Sequence, residues 1–136
     1  MNYFAGCDLV EVARIRKAAE RESFLRRAFS SEELRRFSSM KNPYMSMSGA
    51  WAAKEAFSKA IGTGVRDFSL NEITVAHTEL GAPYFIFSGN ALSVSVGWEF
   101  SLSISHTAEY AQAFVIACRK ENRHEQTADT CADVRS

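Results

Sequence analysis

Hydrophobic and polar positions divide the chain into a helical first half and a strand-rich second half. Residues 2–10 (Asn-Tyr-Phe-Ala-Gly-Cys-Asp-Leu-Val) form a short apolar run that predicts a strand. One carboxylate, Asp8, interrupts it, which is costly unless the group is paired or bound to a cation. Helices are expected at about 11–20, 22–29 and 31–38, with Ser30 or Ser31 and Glu33 as an N-terminal cap for the third. Lys41-Asn42-Pro43 breaks the chain, and a long helix follows over about 44–61. Strands are expected near 69–76 and 83–88, joined by a turn at Leu80-Gly81-Ala82. Ser88-Gly89-Asn90 opens a short helix to about 96. Phe100–Ser105 alternates as a half-buried strand, and Tyr110–Cys118 is a final apolar strand. Helices first and strands later predict an α+β domain, its helices packed on a mostly antiparallel sheet. That domain covers 1–118, and the polar stretch 119–136 reads as a flexible tail.

The long helix carries the densest signal. Trp51–Gly64 runs from strong helix formers into Gly62-Thr63-Gly64, with Gly62 a natural stop. Glu55 and Lys59 are four apart and share a face, while Trp51, Phe57 and Ile61 are available for burial. An acid and a base beside a glycine loop suit a metal and a phosphate. With Asp8, Glu55 offers two carboxylates for a hard cation such as Mg²⁺, which keeps waters and binds substrate phosphates. Ordinary surface or salt-bridged carboxylates are the plainer reading of the same pair. Lys54 and Lys59 are the cations at hand for a phosphate. The loop has no Walker spacing, and the C-terminal end of a helix brings no favourable dipole. Ser105-His106-Thr107 closes an apolar strand and offers three polar side chains to one ligand. A Ser/His/Asp hydrolase is the rival reading, but no Gly-x-Ser-x-Gly elbow is present, and adjacent Ser105 and His106 make poor triad geometry.

Charge and cysteine content narrow the field. Sixteen basic residues balance sixteen acidic ones, so net charge gives no argument for nucleic acid or membrane binding. The balance hides a basic first quarter that includes Arg14, Arg16, Lys17, Arg21, Arg26, Arg27, Arg35 and Arg36. This is either a solvated surface paired with Glu20, Glu22, Glu32 and Glu33, or a docking face for an acidic partner. The three cysteines show no metal-ligand spacing, and Cys7 and Cys118 read as small buried hydrophobes. Asp8 and Glu11 exclude a signal peptide from the first apolar run, and no stretch has the roughly 18 apolar residues of a membrane span. A cytoplasmic protein is expected.

In family order, several segments resemble the holo-[acyl-carrier-protein] synthase family, the small bacterial 4′-phosphopantetheinyl transferases. They are Gly6–Ile15, Phe29-Ser-Ser-Glu-Glu33, Trp51–Gly64, Gly81-Ala82-Pro83 and Ser103–Thr107. The most specific is Trp-Ala-Ala-Lys-Glu-Ala followed by Ser-His-Thr. The resemblance implies the 4′-phosphopantetheinyl transferase-like fold and transfer of phosphopantetheine from coenzyme A to a serine of apo-acyl carrier protein, releasing adenosine 3′,5′-bisphosphate. It implies that Asp8 and Glu55 hold Mg²⁺ on the pyrophosphate and that Lys59 contacts phosphate. Gly62, Thr63, Gly64, Pro83, Ser105, His106 and Thr107 help form the coenzyme A site, and Arg14 docks the acidic carrier. Homotrimers with sites at protomer interfaces are implied as well. Glu55, directly or through a metal-bound water, is the candidate base. The family commonly carries an arginine where this chain has Ala50. That leaves open weaker coenzyme A binding, another basic residue, or a divergent carrier. It also leaves a degenerate binding protein as the second reading, whereas a third, a purely structural domain, leaves Asp8 in its apolar strand unexplained. Which pathway the carrier serves is open.

Overall fold

Strand β1 (Tyr3–Glu11) opens the chain and runs directly into α1 (Val12–Ala18). Helices α2 (Glu22–Ala28), α3 (Ser31–Ser38) and α4 (Tyr44–Ile61) follow, then β2 (Ile73–His77), β3 (Pro83–Phe87), α5 (Gly89–Ser95), β4 (Trp98–His106) and β5 (Tyr110–Arg119). The structure is a computed structural model that describes residues 2–62 and 67–120. The expected elements are all present, and the α+β class holds.

The strands form two antiparallel sheets rather than one. β1, β5 and β4 make a three-stranded sheet in the order β1-β5-β4, and β2 and β3 form a separate hairpin. The hairpin turn is closed by Gly81 N–H donating to Thr78 O and Ala82 N–H donating to Thr78 Oγ1. The strand expected from residue 69 begins only at Ile73. Leu70–Glu72 is instead a 3-10 turn, because the Glu72 carboxylate accepts from Ser69 N and Asn90 N. The Ser-x-x-Glu signature of a capping box stood in the sequence there.

Helix α4 lies on the inner face of the larger sheet. Alternation along β5 buries Ala111, Ala113, Val115 and Ala117, and Ala52, Ala53, Ala56 and Ala60 on α4 are buried in turn. Small side chains on both surfaces let the backbones approach closely. The approach is tightest at Gly6, where a Cβ would lie 2.7 Å from Ala60 N and closer still to Ala56 O. The hairpin is attached through Phe57, whose ring sits 5.0–5.5 Å from those of Phe68, Phe85, Phe87 and Phe100.

Two sequence expectations change inside this core. Lys54 is not a phosphate ligand: it is fully buried, donating to the Glu33 carboxylate and to Ala28 O. Its ammonium also lies 5.1 Å from the centre of the Phe29 ring. Burial pushes its pKa down, and Glu33 opposes that shift. Glu33 is accordingly no surface partner of the arginines. It accepts from Ser30 N in a complete capping box and from Val75 N on β2. Cys118 is buried as expected, whereas Cys7 is exposed on the outer face of β1. Order also passes the expected boundary at 118. Arg119 stacks on Trp98, and Lys120 N–H donates to Gly97 O, while residues 121–136 lie outside the described residues.

Two stability outcomes follow. Glu33→Ala leaves a buried ammonium without its carboxylate and should cost about 3–5 kcal/mol in urea unfolding. Gly6→Ala should cost roughly 1–3 kcal/mol by forcing α4 off β1, read the same way. A loss below about 0.5 kcal/mol in either variant contradicts the packing described.

Candidate active site

Asp8 faces the inner side of β1, opposite Ala113 in the register and beneath α4. One turn of α4 separates Glu55 from Lys59, and both project toward β1. Lys59 Nζ donates to Asp8 Oδ1 at 3.1 Å and to Cys7 O at 3.0 Å. Glu55 is half-buried, and its carboxyl is held above the usual carboxylate range. Burial is the main cause and the nearby Asp8 charge the second, opposed by Lys59 and Arg14. Four residues from three elements thus act on one another: Asp8, Arg14, Glu55 and Lys59.

Their chemistry fits a hard divalent cation. The Asp8 charge disfavours that of Glu55, and a cation between the two carboxylates relieves that repulsion. Among the described residues no group of three or more His, Cys, Asp or Glu side chains converges. Two carboxylates match the few protein ligands that Mg²⁺ takes better than the set of a closed zinc site.

A second cluster occupies the opposite edge of the sheet. Pro83 and His106 line a groove of about 270 Å³ with Ala50, Gly81, His77 and Arg36. β5 lies between β1 and β4, so this groove and the Asp8 cluster sit at different edges of one protomer.

Ser105, His106 and Thr107 do not share one surface within the protomer. Strand alternation sends His106 to the inner face with Ile104, and Ser105, paired with Gln112, to the outer one. Thr107 Oγ1 accepts from Glu109 N and Tyr110 N in the β4–β5 turn. The split between Ser105 and His106 also removes the Ser/His arrangement a hydrolase would need. Gly62 ends α4 in the left-handed conformation at φ 79°, its N–H donating to Ser58 O and Lys59 O. Thr63 and Gly64 lie outside the described residues.

The basic first quarter divides by role. Arg26 pairs with Glu22 at 2.8 Å, and Arg16 stacks 5.0 Å from the Tyr44 ring centre. Arg14, Lys17 and Arg21 instead line a surface groove of about 670 Å³ with Glu20, Phe24 and Trp51. Sequence reasoning did not find Arg36 and His77 in the Pro83–His106 groove. For His77 a signal existed: it alternates in phase with buried Ile73 and Val75. Arg36 had none beyond exposure on α3.

Known proteins share this arrangement of elements. Residues 5–118 match the family described as ACPS, 4′-phosphopantetheinyl transferase superfamily. A protein of Caldanaerobacter subterraneus named holo-[acyl-carrier-protein] synthase is 40% identical over 126 residues, covering 90% of this chain and 99% of its own. The crystal structure of the synthase from Neisseria meningitidis aligns with a TM-score of 0.77 at 36% identity, covering 85% of this chain and 98% of that one. The synthase from Bacillus anthracis, solved in complex with CoA (3′,5′-ADP), aligns at 0.73 and 32% identity, covering 84% and 94%. The chain therefore belongs to the 4′-phosphopantetheinyl transferase superfamily.

Proposed function

We propose that this chain is a holo-[acyl-carrier-protein] synthase, transferring 4′-phosphopantetheine from coenzyme A to a serine of apo-acyl carrier protein. The observation that carries the reading is the meeting of Asp8, Glu55 and Lys59, in a chain 40% identical to a synthase over most of its length. In the reaction the serine oxygen bonds to the phosphorus that bears the pantetheine arm. The bond from that phosphorus to adenosine 3′,5′-bisphosphate breaks, and the serine proton must leave.

Asp8 and Glu55 would hold Mg²⁺, which supplies charge neutralisation at the pyrophosphate. Lys59 holds the Asp8 carboxylate in place and offers its ammonium to a phosphate oxygen as charge builds on the leaving group. Glu55 takes the serine proton, directly or through a water.

The α1 face suits an acidic carrier. Arg14, Lys17 and Arg21 border an apolar floor of Phe24 and Trp51, which provides steering charge around a desolvated contact. Arg14 also acts on Glu55, so docking and chemistry adjoin.

Two features support assembly of several copies, and the family resemblance supplies the number three. Leu9 and Phe114, on the outer face of the sheet, are 62% and 45% exposed. The Asp8 cluster and the Pro83–His106 groove sit on the two edge strands of the larger sheet, where a neighbouring copy can adjoin either. No helix among the described residues is long and apolar enough to cross a membrane, and a cytoplasmic location fits the carrier and coenzyme A. The second reading, a protein that binds without transferring, is favoured only by Ala50.

Incubation with coenzyme A, Mg²⁺ and several apo-acyl carrier proteins should add one phosphopantetheine mass to a carrier. No gain with any carrier or metal refutes the enzyme reading. Glu55→Gln should lower transfer at least about a hundredfold with unchanged circular dichroism. Near-normal turnover in that variant removes Glu55 from the site. Arg14→Glu should raise the carrier KM far more than the coenzyme A KM, and equal rises argue against docking on α1.

A further inference from the structure

Gly6 occupies a place in β1 with no room for any side chain. It sits on the inner face, two residues before Asp8 and paired with Val115 of β5. The other inner-face positions of the strand, Phe4, Asp8 and Val10, carry full side chains. At Gly6 alone α4 rests on the strand backbone. A Cβ there would meet Ala60 N at 2.7 Å, Ala56 C at 3.0 Å and Ala56 O closer than either. Ordinary contact begins at 3.4 Å, and all three obstacles are backbone atoms that no rotamer change moves aside.

The parts of α4 that meet Gly6 are those next to the candidate site. Ala56 directly follows Glu55, and Ala60 directly follows Lys59. Asp8 stands two residues further along the same face of β1, its carboxylate bonded to Lys59 Nζ. The contact thus fixes the height of α4 over β1 where a strand carboxylate meets a helix carboxylate. A glycine weakens a strand interior, and close approach of another backbone is one reason for a strand to carry one. Divalent cations differ in the ligand separation they accept. Mg²⁺ holds oxygens at about 2.0–2.1 Å in a near-ideal octahedron, whereas Ca²⁺ takes them at about 2.3–2.6 Å in flexible geometry.

We infer that Gly6 is a positioning residue for the metal pair. By letting α4 rest on the strand backbone it holds Asp8 and Glu55 at the close separation Mg²⁺ requires, and so favours Mg²⁺ over larger cations. This rests on the transferase reading and its Asp8–Glu55 pair. Gly6 touches neither metal nor substrate and acts only through the distance between its neighbours.

The test measures metal affinity on the protein–coenzyme A complex, with coenzyme A alone as the blank. Mn²⁺ is the spectroscopic probe, and Mg²⁺ and Ca²⁺ compete with it. Gly6→Ala should weaken Mg²⁺ about ten- to hundredfold and Ca²⁺ much less. Ile73→Val, a destabilising trim in the cluster around Phe57, should leave the Mg²⁺-to-Ca²⁺ ratio unchanged. Asp8→Glu adds reach: it should weaken Mg²⁺ when made alone, yet recover affinity when added to Gly6→Ala. Lost stability cannot imitate that reversal of sign. Additive losses in the double variant, or an unchanged ratio in Gly6→Ala, overturn the assignment. If Gly6→Ala does not fold, Ala60→Ser places a smaller wedge at the same contact, and the same reversal with Asp8→Glu is required of it. Wild-type protein that binds no Mn²⁺ in the complex sinks the metal pair itself. A crystal structure of Gly6→Ala then judges Gly6. Asp8 and Glu55 further apart than in the wild type uphold its role in their spacing, and an unchanged separation overturns it.

Discussion

The buried pair of Lys54 and Glu33 is the contact on which the arrangement of the helices depends. Its two charges are removed from water, and every polar atom around them is committed. The ammonium reaches the end of α2 at Ala28 O, and the carboxylate reaches the start of α3 at Ser30 N and β2 at Val75 N. A buried ion pair is weak evidence for stability, since an apolar replacement of the same shape can do as well. Its stronger effect is on placement. Three helices and the hairpin meet at one point, and a shift of any of them strands a charge. The floor of the α1–α2 groove and the wall that carries Arg36 are both positioned from there.

The two clusters of the site lie on opposite edge strands of one sheet. Strand β5 sits between β1 and β4, so Asp8 and His106 lie on strands that do not pair with each other. Leu9 and Phe114 leave exposed apolar side chains on the outer face of that sheet.

Much of the fold was legible because local signals agreed with one another. The Ala, Lys and Glu content of α4 with Gly62 at its end marks that helix to within a residue, and the Ser30–Glu33 box marks α3. Asp8 stood out because an apolar strand gives a carboxylate no local partner. The failures share a different cause. Lys54 and Glu33 were assigned to phosphate and solvent because charge is normally read as surface, and nothing local shows two charges 21 positions apart turning inward together. The Ser-His-Thr trio was read as one wall because a sequence places neighbours side by side, whereas a strand sends them to opposite faces. Arg36 and His77 share a groove only through tertiary packing of α3 on β2.

The meeting of α4 with the sheet is built from Ala52, Ala53, Ala56 and Ala60 against Ala111, Ala113 and Ala117, with Gly6 beneath. Such a seam has almost nothing to truncate, so its tolerance to change runs in one direction. Substitutions elsewhere in a core can be compensated by trading volume between neighbours. Here neither surface has volume to give, and drift along this seam is closed off on both sides. The gap between β1 and α4 is therefore a fixed ruler, and the span from Asp8 to Glu55 is measured against it.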